Sequence, residues 1–157
     1  MKRPTRTFTQ RIKASPQRVF PLLCPVREAE WLDGWTAELL RSESGYSEED
    51  CVFRTLFPGE PETIWIVTRH EPETGRVDFA RVTAGMVATR LCVRVRAADE
   101  GESTVQVTYE FTPTSPEGER LVARRHSEES FRKAMEWWQR SMNHFLETGT
   151  VLRAADQ

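Results

Sequence analysis

The sequence lacks the features of membrane proteins and of nucleic-acid-binding proteins. Nowhere in its 157 residues does an apolar run approach the length of about 18 that a membrane span needs. Its 22 basic and 24 acidic residues leave a net charge of -2, and the two signs are interspersed, so no broad electropositive surface is expected. We therefore expect no integral membrane segment and no nucleic-acid partner.

Cysteine is scarce and carries no recognisable motif. Cys24, Cys51 and Cys92 are an odd number, and no two of them form a C-x-x-C pair, which disfavours a disulfide framework and a structural zinc site. Residues 7–13 alternate in polarity instead of forming the apolar stretch of a signal peptide. Both observations favour a reducing compartment, and we expect a cytoplasmic protein.

Catalytic and cofactor motifs are also missing. His70, His126 and His144 have no metal-ligand spacing. The sequence contains no G-x-S-x-G, no P-loop, no Rossmann glycine fingerprint and no cysteine in a nucleophile motif. We expect no metal site and no cofactor, with the histidines on the surface or at helix caps. Covalent catalysis has no support in the sequence, and whether the protein is an enzyme stays open.

What the sequence does contain is an excess of aromatic residues for its size, with 5 Trp and 8 Phe. The length is that of one domain with a full core, and the sequence shows no linker and no internal repeat. Residues 1–157 are therefore predicted to form one domain, in which the aromatic residues belong to a single interior.

The period of the apolar pattern changes along the chain. Alternation around Gln10 predicts a first strand, Ser15-Pro16 begins a short helix, and a second short helix is expected from Val26 to about Trp31. Segments of period two, separated by Gly and Pro turns, then predict six antiparallel strands. These strands are expected near residues 36–42, 51–57, 63–71, 76–83, 86–97 and 103–112.

A long helix is expected at the end of the chain. Ser127 is a favourable N-cap and Gly149 a favourable C-terminal residue, and the apolar residues between them fall on one helical stripe. The segment Ser115-Pro116-Glu117 indicates a helical turn before it. We predict an α+β helix-grip fold, in which a curved antiparallel sheet of seven strands, with two short helices after the first strand, wraps the long C-terminal helix.

Three segments carry a family resemblance. They are Ser15-Pro16-Gln17-Arg18-Val19-Phe20, Trp31-Leu32-Asp33-Gly34-Trp35 and Val107-Thr108-Tyr109-Glu110-Phe111-Thr112. With the order of elements, they resemble the polyketide-cyclase and START-like (SRPBCC) superfamily, which includes birch-pollen-allergen-like proteins. The resemblance covers nearly the full chain and concerns the fold rather than catalytic motifs. It implies a cavity between sheet and long helix that in many members holds a lipid, sterol, polyketide or other apolar ligand.

Large residues on the inward faces are candidate walls of such a cavity. They either line a ligand site or pack only against one another, and the sequence leaves both interpretations open. The candidates are Phe53, Trp65, Phe79, Tyr109, Phe111, Met135, Trp138 and Met142.

Polar residues on inward faces are candidate ligand contacts, because an unpartnered charge or amide is costly to bury. Alternation places Gln10 and Arg81 inward. Strand 63–71 is apolar on both faces, so the side that lines the cavity is open; if the alternation continues from Trp65, Arg69 also faces inward. An inward guanidinium could hold a carboxylate or phosphate of an apolar ligand, whereas an ion pair with a neighbouring acid would make it structural.

One basic cluster and one tryptophan fall outside this pattern. Residues 120–126 are rich in arginine but are flanked by acids, which favours a solvated helix face over a phosphate-binding patch. Trp137 lies off the helical stripe. Three places are open to it: the rim of the sheet, an entrance to the cavity, or a contact between two copies in a homodimer.

Three functions are consistent with these features. The favoured hypothesis is a carrier that binds a hydrophobic small molecule or lipid, apolar or with an anionic group, between the long helix and the sheet. The alternative is a cyclase-like or aromatase-like enzyme, in which Tyr109, Arg69 or Arg81 would position an enolate and a general acid. A chaperone-activator-like interaction module is disfavoured, because that subgroup usually has a glycine pair where this sequence has Thr36-Ala37-Glu38.

Overall fold

A computed structural model describes residues 3–156; residues 1, 2 and 157 of the predicted domain lie outside the described residues. The seven strands, β1 to β7, are Thr5–Ile12, Glu38–Arg41, Val52–Thr55, Thr63–Glu71, Arg76–Thr83, Val87–Ala97 and Ser103–Pro113. The α-helices, α1 to α3, are Pro16–Val19, Pro116–Arg125 and Glu128–Thr148. Short 3₁₀ helices are formed by Phe20–Leu22, Arg27–Glu30 and Ala154–Asp156.

The strands form one antiparallel sheet in the order β1-β7-β6-β5-β4-β3-β2, so the first strand pairs with the last. Three short helical segments lie between β1 and β2, two of them continuous in the chain (Pro16–Val19 with Phe20–Leu22) and the third separate (Arg27–Glu30). Helix α3 follows β7 and α2. The predicted helix-grip fold, with its curved seven-stranded sheet and long C-terminal helix, is confirmed.

The two faces of the sheet differ in polarity because its strands alternate. In β6, Leu91, Val93 and Val95 are buried, whereas Arg90 and Arg96 are exposed on the opposite face. The apolar face meets α3 and the short helices, and the core of the domain lies between these layers. The interior that the sequence pattern predicts is therefore the space in which a ligand site has to be sought.

The alternation is broken within β4, and this break corrects the expected direction of Arg69. Val67 pairs with Phe79, but the next pair is Arg69 with Asp78, because a bulge inserts Thr68 between them. Val67 is fully buried, whereas Arg69 is exposed and its Nε lies 3.9 Å from the Asp78 carboxylate. The expectation that Arg69 faces inward is wrong, since one extra residue moves every later side chain of the strand to the other face.

Helix α3 begins and ends where its capping residues predict. The Ser127 hydroxyl accepts a hydrogen bond from the backbone N–H of Ser130 at 3.1 Å. Gly149 has φ +74° and donates its N–H to the carbonyl of Phe145 at 2.7 Å, which closes the last turn. The 21 residues between these caps form a rod of about 30 Å, long enough to cross the sheet.

Side-chain amides of α3 attach the helix to the free edge of β1. The backbone N–H of Arg11 donates to Gln139 Oε1 at 2.8 Å, and that of Lys13 donates to Asn143 Oδ1 at 2.8 Å. Asn143 Nδ2 returns a hydrogen bond to the Arg11 carbonyl at 3.0 Å. These bonds provide partners for backbone N–H and C=O groups at the exposed edge of the sheet, and they fix the position of α3 relative to that edge.

Helix α2 joins the turn expected from Ser115-Pro116-Glu117 to the helix face expected at residues 120–126, and a glycine allows it to pack closely on the β5–β6 turn. A Cβ atom at Gly118 would lie 1.7 Å from the carbonyl oxygen of Met86, so no other residue fits without moving the helix. This close approach places the C-terminal end of α2 beside the interior. No helix within residues 3–156 is long and apolar enough to cross a membrane.

Candidate functional site

The space between the sheet and the helices contains a mainly apolar cavity of about 250 Å³, which we name the inner chamber. Residues from the β1–β2 connection, from the inner face of the sheet and from α3 contribute to its wall. They are Pro25, Glu28, Trp31, Leu32, Trp35, Phe53, Trp65, Phe79, Leu91, Val93, Tyr109, Ala134, Met135, Trp137 and Trp138.

Hydrogen bonds from the indole groups hold the aromatic wall in place. Trp31 Nε1 donates to the Leu22 carbonyl at 3.0 Å, and Trp35 Nε1 donates to the Pro25 carbonyl at 2.8 Å. Trp65 Nε1 donates to the hydroxyl of Thr55 at 3.0 Å. Because each N–H already has an acceptor in the protein, these rings offer the chamber mainly their apolar surfaces.

A second, more polar cavity of about 690 Å³ adjoins the first, and we name it the outer chamber. Trp35, Trp65 and Tyr109 line both chambers, so the two spaces meet at these rings. The other residues of the outer chamber come mainly from the β3–β4 connection, β5 and α2. They are Thr55, Phe57, Gly59, Glu60, Pro61, Thr63, Arg81, Thr83, Ala84, Met86, Val87, Glu117, Leu121, Arg124, Arg125 and His126.

Arg81 lies at the junction of the two chambers. Its guanidinium carbon is 5.0 Å from the centre of the Trp65 ring and 5.1 Å from that of Tyr109, so cation–π contacts hold it on both sides. Within residues 3–156, no hydrogen bond or ion pair joins this guanidinium to a carboxylate. Burial lowers the pKa of Arg81, yet a guanidinium stays protonated at neutral pH. The junction therefore presents a positive charge to whatever occupies the chambers.

His126 adds a neutral imidazole to the outer chamber. It is the residue that ends α2, and its ring stacks on Phe111 with a centroid distance of 4.5 Å. Burial, and then the positive charges of Arg81, Arg125 and Arg6, lower the pKa of His126 to about 4. The imidazole is therefore uncharged at neutral pH, and an anion bound nearby would make it more basic.

Glu28 brings a carboxyl group to the inner chamber. The side chain keeps some accessible surface because it borders the cavity, but protein atoms surround it, and this desolvation raises the pKa of Glu28 to about 8. Burial also raises the pKa of Tyr109; the charge of Glu28 raises it further, and Arg81 opposes the change. At neutral pH the chamber thus holds a mostly protonated carboxyl group and a neutral phenol.

The structure brings only some of the predicted site residues together around the chambers. Phe53, Trp65, Phe79, Tyr109, Met135 and Trp138 line the inner chamber, and Arg81 lies at its junction with the outer one. Phe111 and Met142 are completely buried in packed core outside both cavity linings, and Arg69 is on the outer face. Gln10 faces inward as expected, but its Nε2 donates to the backbone carbonyl of Met135 at 3.1 Å, so it joins β1 to α3.

Several residues of the site were not predicted. Glu28, Trp31 and Trp35 come from the irregular β1–β2 connection, where no hydrophobic period indicates which side chains turn inward. The basic cluster lies on an exposed helix face as expected, and two of its arginines, Arg124 and Arg125, also border the outer chamber, where Arg125 pairs with Glu60. Trp137 lies half-buried in the wall of the inner chamber, a place that was not among the three open to it.

The remaining features of the molecule offer fewer groups for binding or catalysis. A groove of about 190 Å³ on the outer face of the sheet holds an ion pair in which Arg76 Nη2 lies 2.8 Å from Asp78. Cys24, Cys51 and Cys92 are free thiols. Among the residues that the structure describes, no three His, Cys, Asp or Glu side chains are grouped to hold a metal ion. The two chambers are therefore the candidate functional site.

Comparisons with known proteins support the fold and leave the ligand unidentified. No protein-family model and no curated protein matches the sequence. Norcoclaurine synthase from Thalictrum flavum matches with a TM-score of 0.70 at 12% identity, over 94% of this chain and 88% of that one. The same enzyme with dopamine and hydroxybenzaldehyde matches with a TM-score of 0.67 at 13% identity, over the same shares of the two chains. Ara h 8.0201 matches with a TM-score of 0.61 at 13% identity, over 92% of this chain and 100% of that one.

Proposed function

We propose that this chain, which has the helix-grip fold of the birch-pollen-allergen and polyketide-cyclase-like superfamily, binds an apolar small molecule that carries an anionic group. The apolar part would occupy the inner chamber, and the anionic group would meet Arg81 at the junction. The observation that carries this proposal is the position of Arg81 between Trp65 and Tyr109 without a carboxylate partner in the described chain.

The two chambers differ in polarity, as a ligand with an apolar body and an anionic group requires. The inner chamber is walled by indole, phenyl and aliphatic groups, which favour a compact apolar body. A guanidinium binds a carboxylate or phosphate through paired hydrogen bonds, so Arg81 would fix the orientation of the ligand. The complex of norcoclaurine synthase with dopamine and hydroxybenzaldehyde supports aromatic molecules as a ligand class for this fold.

The binding test compares 2-naphthoate with its neutral analogue 2-naphthylmethanol by isothermal titration calorimetry. Wild-type protein is expected to prefer 2-naphthoate, because only the carboxylate pairs with Arg81. Arg81→Met should weaken naphthoate binding by about tenfold to a hundredfold and change naphthylmethanol binding little, since a hydrogen bond to a charged group contributes about 1.5–3 kcal/mol.

The matched control is Arg69→Met, which removes a guanidinium from the outer face of the sheet. It should leave the binding of both compounds unchanged. Naphthoate binding that survives Arg81→Met, or wild-type protein that binds neither compound, would contradict the proposal. Native mass spectrometry after incubation with a cell lipid extract then identifies the retained natural ligand.

The same ligand pair tests where the anionic group lies. Bound 2-naphthoate is expected to raise the pKa of His126 from about 4 towards its ordinary value of 6.5, because its negative charge offsets that of Arg81 and Arg125. NMR titration of the imidazole signals measures this change, with His126→Gln identifying the signal. An unchanged pKa in the saturated complex would show that the carboxylate lies away from the outer chamber. 2-Naphthylmethanol, which carries no charge, is the control and should produce no rise.

A further inference from the structure

The inner chamber contains a carboxyl group that the binding site proposed above does not use. Glu28 lies on the 3₁₀ helix Arg27–Glu30 and borders the chamber. Its neighbour Glu30 pairs with Arg27 at 2.6 Å, whereas across the described part of the chain the carboxyl group of Glu28 has no hydrogen-bond or ion-pair partner. A carboxyl group left unpartnered beside an apolar cavity is free to exchange a proton with the molecule that fills it.

Tyr109 supplies the complementary group. Its side chain lines the same chamber as that of Glu28, and burial raises the pKa of Tyr109. The phenol is therefore neutral at physiological pH and able to donate a hydrogen bond. A carboxylate base and a neutral donor in one apolar chamber are the two groups needed to remove a proton from carbon and stabilise the charge that results.

We propose that Glu28 acts as a general base, and in the reverse step as a general acid, on a C–H bond of a compact aromatic or carbonyl compound bound in the inner chamber. The hydroxyl of Tyr109 donates to the oxygen on which negative charge develops. This inference rests on the proposed function, because it requires a ligand in that chamber.

The proton transfer needs no partner beyond the ligand and the protein. With a carbonyl compound, the carboxylate of Glu28 takes the proton from the carbon next to the C=O group. The C–H electron pair forms the C=C bond of an enolate, and the charge moves to the oxygen that faces Tyr109. The protonated carboxyl group then returns the proton to the same carbon or to another one, so the step is neither an oxidation nor a reduction.

The rate of such a step depends on pH through the ionisation of the base. Glu28 acts only when ionised, and burial raises its pKa to about 8, so the rate should increase between about pH 6 and about pH 9 and then level off. The other titratable group of the inner chamber is Tyr109, whose pKa burial raises. Arg81, which stays cationic, lies at the junction, and His126 in the outer chamber has a pKa of about 4. The other charged residues of the outer chamber are Glu60, Glu117, Arg124 and Arg125.

The test uses 5-nitrobenzisoxazole as a probe of a base in an apolar site. A carboxylate removes the proton on C3, the C–H electron pair forms a nitrile, the N–O bond breaks, and the coloured 2-cyano-4-nitrophenolate leaves. Wild-type protein should accelerate this reaction with a midpoint near pH 8, and Glu28→Gln should lower the second-order rate constant about a hundredfold. Tyr109→Phe should lower the plateau rate and leave the midpoint near that of the wild type.

The matched control is Glu30→Gln, which removes a carboxylate two residues away that pairs with Arg27. It should keep the wild-type rate. A wild-type rate no higher than that of Glu28→Gln, or an equal loss in both glutamine variants, overturns the role of Glu28. Circular dichroism confirms that each variant is folded. Naphthoate binding, measured on the same samples and on Arg81→Met, separates this result from the proposed function, which fails if the wild type does not bind or if binding survives Arg81→Met.

Discussion

Replacement of Trp31 by alanine is expected to destabilise the protein by about 4 kcal/mol, as for other large aromatic residues removed from a core. The side chain has 0% exposure, and its ring lies 5.9 Å from that of Trp138 on α3. Its Nε1 also donates to the Leu22 carbonyl, which would lose that partner. Urea denaturation followed by far-ultraviolet circular dichroism measures the change in the free energy of unfolding.

The control for this variant is Trp137→Ala, which removes an indole of equal size from the part of the inner chamber wall that α3 supplies. Trp137 is only half-buried, so its loss should destabilise the protein by less than half as much. A Trp31→Ala variant that loses no more stability than Trp137→Ala would contradict the position assigned to Trp31. It would mean that the β1–β2 connection is not packed against α3 as described.

Most of the fold could be predicted because the apolar residues of each strand and of the long helix recur with the period of that element, and a recognisable turn or cap marks where each element ends. The expected strands at 63–71 and 76–83 have the bounds that the structure shows, and α3 lies between the two predicted caps. Helix α2 begins at its predicted start and includes most of the basic segment that was expected on a helix face. Its packing was not predictable, because the close contact between Gly118 and the carbonyl of Met86 joins residues that are distant in sequence and leaves no local pattern.

The candidate site was less predictable, for two physical reasons. Alternation indicates the face of a residue only while the register holds, and the bulge at Thr68 reversed the direction of Arg69 while leaving Arg81 inward. Glu28 lies on the short helix that the sequence predicts from Val26 to about Trp31, but a single turn is too short for a hydrophobic period to indicate which of its side chains faces the apolar wall. Regular strands and α3 supply most of the apolar lining, and the acid comes from this single turn.

The positions of the charged residues divide the interior into two chemically distinct parts. Arg81 reaches the junction from the centre of the sheet, whereas Glu28 enters the inner chamber from the opposite side, on the β1–β2 connection. Tyr109 lines both chambers and its pKa responds to both charges. A ligand with its anionic group at Arg81 therefore extends its apolar part towards the carboxyl group of Glu28, which links the binding proposal to the proton-transfer proposal.

Glu28→Gln is expected to stabilise the protein at pH 8 by roughly 3 kcal/mol, a value reduced from the full pKa difference because the side chain keeps some accessible surface. In the folded protein burial raises the pKa of Glu28 from 4.5 to about 8, so the folded state binds more protons than the unfolded state between these values. This carboxyl group therefore does not reduce the free energy of unfolding below pH 4.5. Its ionisation lowers that free energy progressively as the pH rises from 4.5 to about 8. Glutamine removes the ionisation and with it this loss.

Urea denaturation of wild type and Glu28→Gln between pH 6.5 and 8 isolates this effect, because the ordinary pKa of His126, 6.5, lies at the lower limit of that window. The difference in the free energy of unfolding should grow with pH across the window, while Glu30→Gln should follow the wild type at every pH. A constant difference between Glu28→Gln and the wild type would mean that Glu28 is already ionised at pH 6.5. The carboxyl group would then be in contact with water, and the inner chamber would not be the apolar environment on which the binding proposal and the proton-transfer proposal both depend.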